Sequence, residues 1–251
     1  DVPTLHGAYI HNEEEAEALT VPEVGAGRTG ECVRGIREAS QLITDRPLLA
    51  GTIGPFSLAG RLLDMTEIMI LCYEEPEMVE TVLEKVTEFL IAYTKAFKEA
   101  GANGVVMAEP AAGLLSPSLM DDFSTPYVRR IIDAVEDENF IVMYHNCGNI
   151  SMLFDSINKV NAKAYSFGNA IDIEDGLKAV PSDRMVIGNI DPAGIFRQGT
   201  PELVKQETLS LLERCSKYPN FVISSGCDIP PVTPLENIDG FFQAVNEFYK
   251  N

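Results

Sequence analysis

Three histidines occur in the 251-residue chain, at positions 6, 11 and 145. Only the last stands in a setting that suggests chemistry. It lies in Val142-Met143-Tyr144-His145-Asn146-Cys147-Gly148, where an apolar run ends. Residues two apart on extended chain point to the same side, so the His145 imidazole and the Cys147 thiol face one direction. Gly148 then lets the backbone turn. Far downstream, Ser224-Ser225-Gly226-Cys227-Asp228 ends another apolar run. One imidazole nitrogen and two thiolates from two strand tips make a donor set suited to zinc. Three protein ligands with an open fourth position is the catalytic pattern, four closed ligands the structural one. The same residues also read as a buried histidine with a hydrogen-bond partner and two inert core thiols. Cys32, Cys72 and Cys215 illustrate that second reading, each in a helical stretch without a histidine beside it.

Other polar groups end strands in the same way. Glu109 closes Gly-Val-Val-Met-Ala-Glu-Pro and is pinned before Pro110, which makes it a candidate proton acceptor or exchangeable fourth ligand facing the mouth of the sheet. Asp191, before Pro192, reads as a helix cap at least as well as a functional group. Gly51 to Ser57 is a Gly/Pro-rich turn where backbone can approach a ligand closely. It is neither a dinucleotide fingerprint nor a phosphate loop. We take Gly54 and Phe56 of this turn, with Asp191, as candidate cofactor-binding positions. Ala111 to Pro117 reads as a small-residue loop.

To bring such side chains together, the chain must gather strand ends at one face. From residue 46 on, short bare apolar runs alternate with amphipathic stretches. Strands are expected over 47–53, 104–108, 140–144, 164–167, 185–190 and 221–224, as parallel strands buried on both faces read. Helices are expected over 76–100, 118–135, 150–158, 173–179, 201–215 and 234–248, several opened by Thr-Pro pairs. Strands separated by single helices imply right-handed βαβ units. With this length, the pattern points to one α/β domain, a (β/α)8 TIM-type barrel, whose strand C-termini converge on one face. Residues 1–45 read as a loop followed by a helix over about 31–43. Only six strands are counted, so closure of an eight-stranded barrel needs chain upstream of Asp1 or a strand within residues 5–11.

Composition narrows the partners. With 38 acidic and 19 basic residues the net charge is −19, which excludes the basic footprint that nucleic acid or an anionic membrane requires. No run of eighteen apolar residues suggests a membrane span. Five cysteines, an odd number, and no secretory signal favour a reducing cytoplasm over a disulfide scaffold. A homodimer is compatible with all of this, and the sequence leaves oligomeric state open.

Several segments together carry a resemblance: Gly54-Pro55-Phe56-Ser57-Leu58-Ala59, Lys98-Glu99-Ala100-Gly101-Ala102, Glu109-Pro110-Ala111-Ala112-Gly113, His145-Asn146-Cys147-Gly148, Gly188-Asn189-Ile190-Asp191-Pro192 and Gly226-Cys227-Asp228-Ile229-Pro230-Pro231 with Thr233-Pro234 following. In order and spacing they resemble the uroporphyrinogen decarboxylase superfamily, from about residue 45 onward. That resemblance implies the barrel fold. True decarboxylases of this superfamily need no metal and carry histidine in a Gly-His-Gly pattern where this chain has Cys227. The corrinoid-protein:thiol methyltransferases, such as the methylcobamide:coenzyme M enzymes, carry H-x-C and a distant Cys as zinc ligands, which His145, Cys147 and Cys227 match. Asn146 and Gly226-Cys227-Asp228 depart from the usual apolar residue and Gly-Cys-Gly. The resemblance thus implies a zinc enzyme that partners a corrinoid protein and a small thiol. The thiol binds the open zinc position as thiolate and takes the methyl group, with Glu109 receiving the proton. A metal-free decarboxylase acting on a tetrapyrrole is the alternative, and a non-catalytic corrinoid- or metal-binding barrel a third.

Overall fold

Bare apolar runs become strands and the amphipathic stretches between them become helices, so the expected alternation is also the observed one. A computed structural model describes residues 7–250. Six strands form one sheet in chain order, and the pairs with assigned register run parallel. The chain divides into two compact units. One takes the described residues through Tyr144 together with Asp155–Ala162, the other His145–Phe154 and Lys163 onward.

The first unit contains α1 (Glu13–Ala18), α2 (Thr29–Leu42), β1 (Leu49–Ile53), α3 (Pro55–Leu63), α4 (Glu67–Glu74), α5 (Pro76–Glu99), β2 (Gly104–Ala108), a 3₁₀ turn (Pro110–Leu114), α6 (Pro117–Phe123) and α7 (Thr125–Val135). It also takes the first four residues of β3 (Ile141–Asn146) and most of α8 (Phe154–Val160). Helix α5 shows why the pattern works. Met78, Val79, Val82, Leu83, Val86, Leu90 and Phe97 recur three and four apart and are all buried. Burying each such side chain contributes about 1.5–3 kcal/mol relative to exposure. Strand β1 pairs with β2 so that Ile53 lies opposite Ala108. The Gly54 amide then donates to the Ala108 carbonyl at 2.7 Å, which sets the 54–57 turn beside Glu109.

The second unit begins with the last two residues of β3 and contains β4 (Ala164–Phe167), α9 (Ile173–Ala179), β5 (Met185–Ile190), a π turn (Pro192–Arg197), α10 (Pro201–Cys215), β6 (Phe221–Ser225) and α11 (Leu235–Lys250). β5 pairs with both β4 and β6. Buried Asn237 of α11 donates to the carbonyls of Phe196 and Gly199, tying that helix to the π turn.

Four expectations are corrected. The helix expected over 118–135 is two, broken at Ser124. Pro126 cannot donate to the preceding turn and opens α7 instead. The strand expected to end at Tyr144 runs on through His145 to Asn146. The helix expected from residue 150 starts at Phe154, after a turn. Helices α1, α3 and α4 went unrecognised, the last because apolar residues crowd it on more than one side. Residues 7–11 contain no strand, and 5 and 6 lie outside the described residues. No helix among the described residues is long and apolar enough to cross a membrane.

Candidate metal centre

His145, Cys147 and Cys227 all belong to the second unit, and one ligand atom from each lies within 4.8 Å of the others. The backbone explains the convergence. At the end of β3 the Asn146 carbonyl accepts from the Gly168 amide at 3.1 Å, joining that tip to the end of β4. The Asn146 side-chain carbonyl accepts from the Gly148 amide at 2.9 Å, closing the turn that carries Cys147. At the other edge the Gly226 amide donates to the Ile190 carbonyl at 2.7 Å, setting Cys227 two residues beyond the paired end of β6.

The His145 ring is buried, at 7% exposure, and its Nδ1 lies 3.0 Å from Ser166 Oγ. That contact leaves Nε2 for an external partner. Burial lowers the pKa of His145 against the opposing pull of Asp228 and a hydrogen bond to Ser166, so the ring is neutral as a metal ligand must be. Burial raises the Cys147 thiol, and the neighbouring Cys227 and Asp228 push it the same way. Crowding of this kind keeps thiols protonated until a cation arrives to share their charge. The donor set fits zinc: bonds of about 2.0–2.3 Å in a tetrahedron separate ligand atoms by roughly 3.4–3.8 Å, within the observed spread.

Glu109 behaves differently from expectation. It is fully buried in the first unit and does not present its carboxylate at an open rim. Its Oε1 accepts from the Phe56 amide at 2.8 Å and from Ser124 Oγ at 3.2 Å, and its Oε2 from the Ser57 amide at 3.2 Å. It thus holds the first turn of α3, where unpaired amides collect. Burial pushes its pKa up to about 7, opposed by these same hydrogen bonds. Gly54 is required there by close approach, since a Cβ would stand 2.0 Å from Glu109 Oε2. The Phe56 side chain is fully buried, and the backbone amide that the turn offers is taken up by Glu109. Asp191 accepts from the Ala193 and Gly194 amides at 2.8 and 2.9 Å; its carboxylate caps the π turn rather than standing free for a ligand.

A family model described as uroporphyrinogen decarboxylase (URO-D) matches residues 1–248. The chain belongs to the URO-D family. Among curated relatives, the methylcobamide:CoM methyltransferase MtbA of Methanosarcina acetivorans is 27% identical over 249 residues, covering 98% of this chain and 72% of the relative. The methylcobamide:CoM methyltransferase MtaA of Methanosarcina barkeri is 28% identical over 87% of this chain and 63% of its own. The uroporphyrinogen decarboxylase of Prochlorococcus marinus is 27% identical over 91% of this chain and 66% of its own. A solved methyltransferase from Methanosarcina mazei superposes with a TM-score of 0.85 at 26% identity, covering 93% of this chain and 69% of that one. Both branches anticipated from the motifs are therefore represented among this URO-D chain's relatives.

Sequence reasoning missed Ser166, Gly168 and Asn189. Gly168 presses on the ligand turn so closely that a Cβ would stand 2.6 Å from the Cys147 Cα. Asn189 donates to the carbonyls of Gly168 and Ile171 at 3.0 and 2.9 Å, holding that turn in place. One signal was available: Ser166 and Asn189 are the polar residues of otherwise apolar strands.

Proposed function

We propose that the chain is a zinc-dependent methyltransferase that moves a methyl group between a corrinoid carried on a partner protein and a thiol or related acceptor. The observation that carries this reading is the convergence of one imidazole and two thiols, with nothing else ligand-like among the described residues completing the set. The relatives named methylcobamide:CoM methyltransferases support it. His145 Nε2 and the two sulfurs would hold the ion, and Ser166 would fix the ring that presents that nitrogen. When bound, zinc would supply an open position that keeps an acceptor thiol as thiolate at neutral pH. Cys147 and Cys227 as thiolates would offset the charge of the ion and so leave such an acceptor nucleophilic.

The alternative is a metal-free decarboxylase acting on a tetrapyrrole, in keeping with the decarboxylases among the relatives. It leaves His145, Cys147 and Cys227 without a task. Metal analysis of the purified protein separates the two. One zinc per folded chain, lost in Cys227→Ser, is expected, together with demethylation of methylcobalamin by a thiol, read from the corrinoid spectrum. A folded wild-type protein that takes up no metal ends the methyltransferase reading.

A further inference from the structure

Cys147 and Cys227 stand on two strand tips that meet at one turn. An added Cβ on Gly168 would stand 2.6 Å from the Cys147 Cα, and one on Gly226 would stand 2.8 Å from the Asn169 amide nitrogen. The neighbours Gly168 and Asn169 thus touch both cysteine turns. The two sulfurs lie within 4.8 Å of each other, and a hydrogen bond joins their side chains. Neither cysteine belongs to a helix or strand. Rotation about the Cα–Cβ bonds with a small shift of either turn can therefore close the remaining gap to the about 2 Å of a sulfur–sulfur bond. Both thiols are half-buried, within reach of a small solute. The other three cysteines are placed differently: Cys72 and Cys215 are buried, and the exposed Cys32 bonds to the Tyr93 side chain.

We propose that Cys147 and Cys227, when no ion holds them, are an oxidation site that a peroxide converts into a reversible disulfide. The proposal needs only the two thiols and stands apart from the methyltransferase reading. One sulfur attacks a peroxide oxygen and the O–O bond breaks, leaving a sulfenic acid and, with the thiol proton, one water. The second sulfur attacks the sulfenic sulfur and the S–O bond breaks; the hydroxide leaves with the second thiol proton as another water. Each thiol gives up one electron and hydrogen peroxide takes both. The adjacent thiol intercepts the sulfenic acid before it passes to the irreversible sulfinic acid. An ion on the same sulfurs shares the lone pairs that this attack requires, so metal and disulfide exclude one another.

The test exposes the full chain to hydrogen peroxide, once stripped of metal and once loaded with zinc, and maps non-reduced peptides by mass spectrometry. Circular dichroism confirms the fold in each sample. In the stripped protein a linked peptide holding Cys147 and Cys227 is expected, lighter than the two free peptides by two hydrogens and split by dithiothreitol. In Cys227→Ser the link is lost and Cys147 gains oxygen instead. The zinc-loaded protein should show no link in the time that converts the stripped one. A folded, stripped wild type whose two cysteines stay thiols, or gain oxygen without linking, overturns the proposal. So does a link that forms equally fast with zinc bound. A chain that takes up no zinc ends the methyltransferase reading, while the stripped sample still decides the disulfide.

Discussion

Glu109 and the His145–Cys147–Cys227 group both stand where strands end, yet the chain treats them in opposite ways. Around Glu109, in the first unit, the protein supplies its own donors. Two backbone amides and a serine hydroxyl surround a carboxylate that no solvent reaches. In the second unit, two half-buried thiols and a neutral imidazole crowd one another with their lone pairs, and Ser166 serves only the far nitrogen of the ring. The first arrangement is complete within the chain; the second is completed by a cation from outside. Ligand-type residues at strand tips are thus ambiguous in sequence, and the surrounding donors separate a structural carboxylate from a binding site.

Three measurements sharpen or break this contrast. The largest effect concerns protonation of Glu109. Its folded pKa is near 7 against an ordinary 4.5, so the native state keeps a proton that the unfolded chain has already released. Stability should therefore fall as pH rises between about 4.5 and 7, by up to about 3 kcal/mol. Glu109→Gln should remove that fall, as read from urea midpoints at pH 5 and 8 in both proteins. Parallel pH dependence in the two would place the cage elsewhere. Next, Gly54→Ala drives a methyl group into Glu109 and should cost about 2 kcal/mol in urea unfolding. Its metal content per folded chain should stay unchanged; a loss of metal would contradict the separate roles argued here. Smallest is Ser166→Ala, which frees the His145 ring. Zinc affinity should drop about tenfold in competition with a chromophoric chelator. An unchanged affinity would remove Ser166 from the site.

Much of this was legible because it rests on local physics. The bare apolar runs of β2, β4 and β5 could only be buried parallel strands, and their observed bounds coincide with the expected ones. The triad was legible because H-x-C sits at a strand tip and Cys227 ends another. Glu109 was not, because its surroundings come from Phe56, Ser57 and Ser124, residues brought to it by strand register and by the break between α6 and α7. The surroundings of Phe56 were hidden for the same reason: the pairing of β1 with β2 brings its turn beside Glu109, which accepts from its amide. Gly168 was invisible because close backbone approach leaves no mark in residue type beyond a glycine, whereas Asn189 was marked only as a polar residue in an apolar strand.

Cys147 and Cys227 are eighty positions apart, and β4, α9, β5 and α10 all fall between them. A cation that stays on both sulfurs when the chain opens would close that span into a ring, and closing a ring of this length removes about 4 kcal/mol of chain entropy from the unfolded ensemble. The bridge would thus act as a clasp on half the sheet, and stripping the ion would leave the enclosed segment the readier target for a protease.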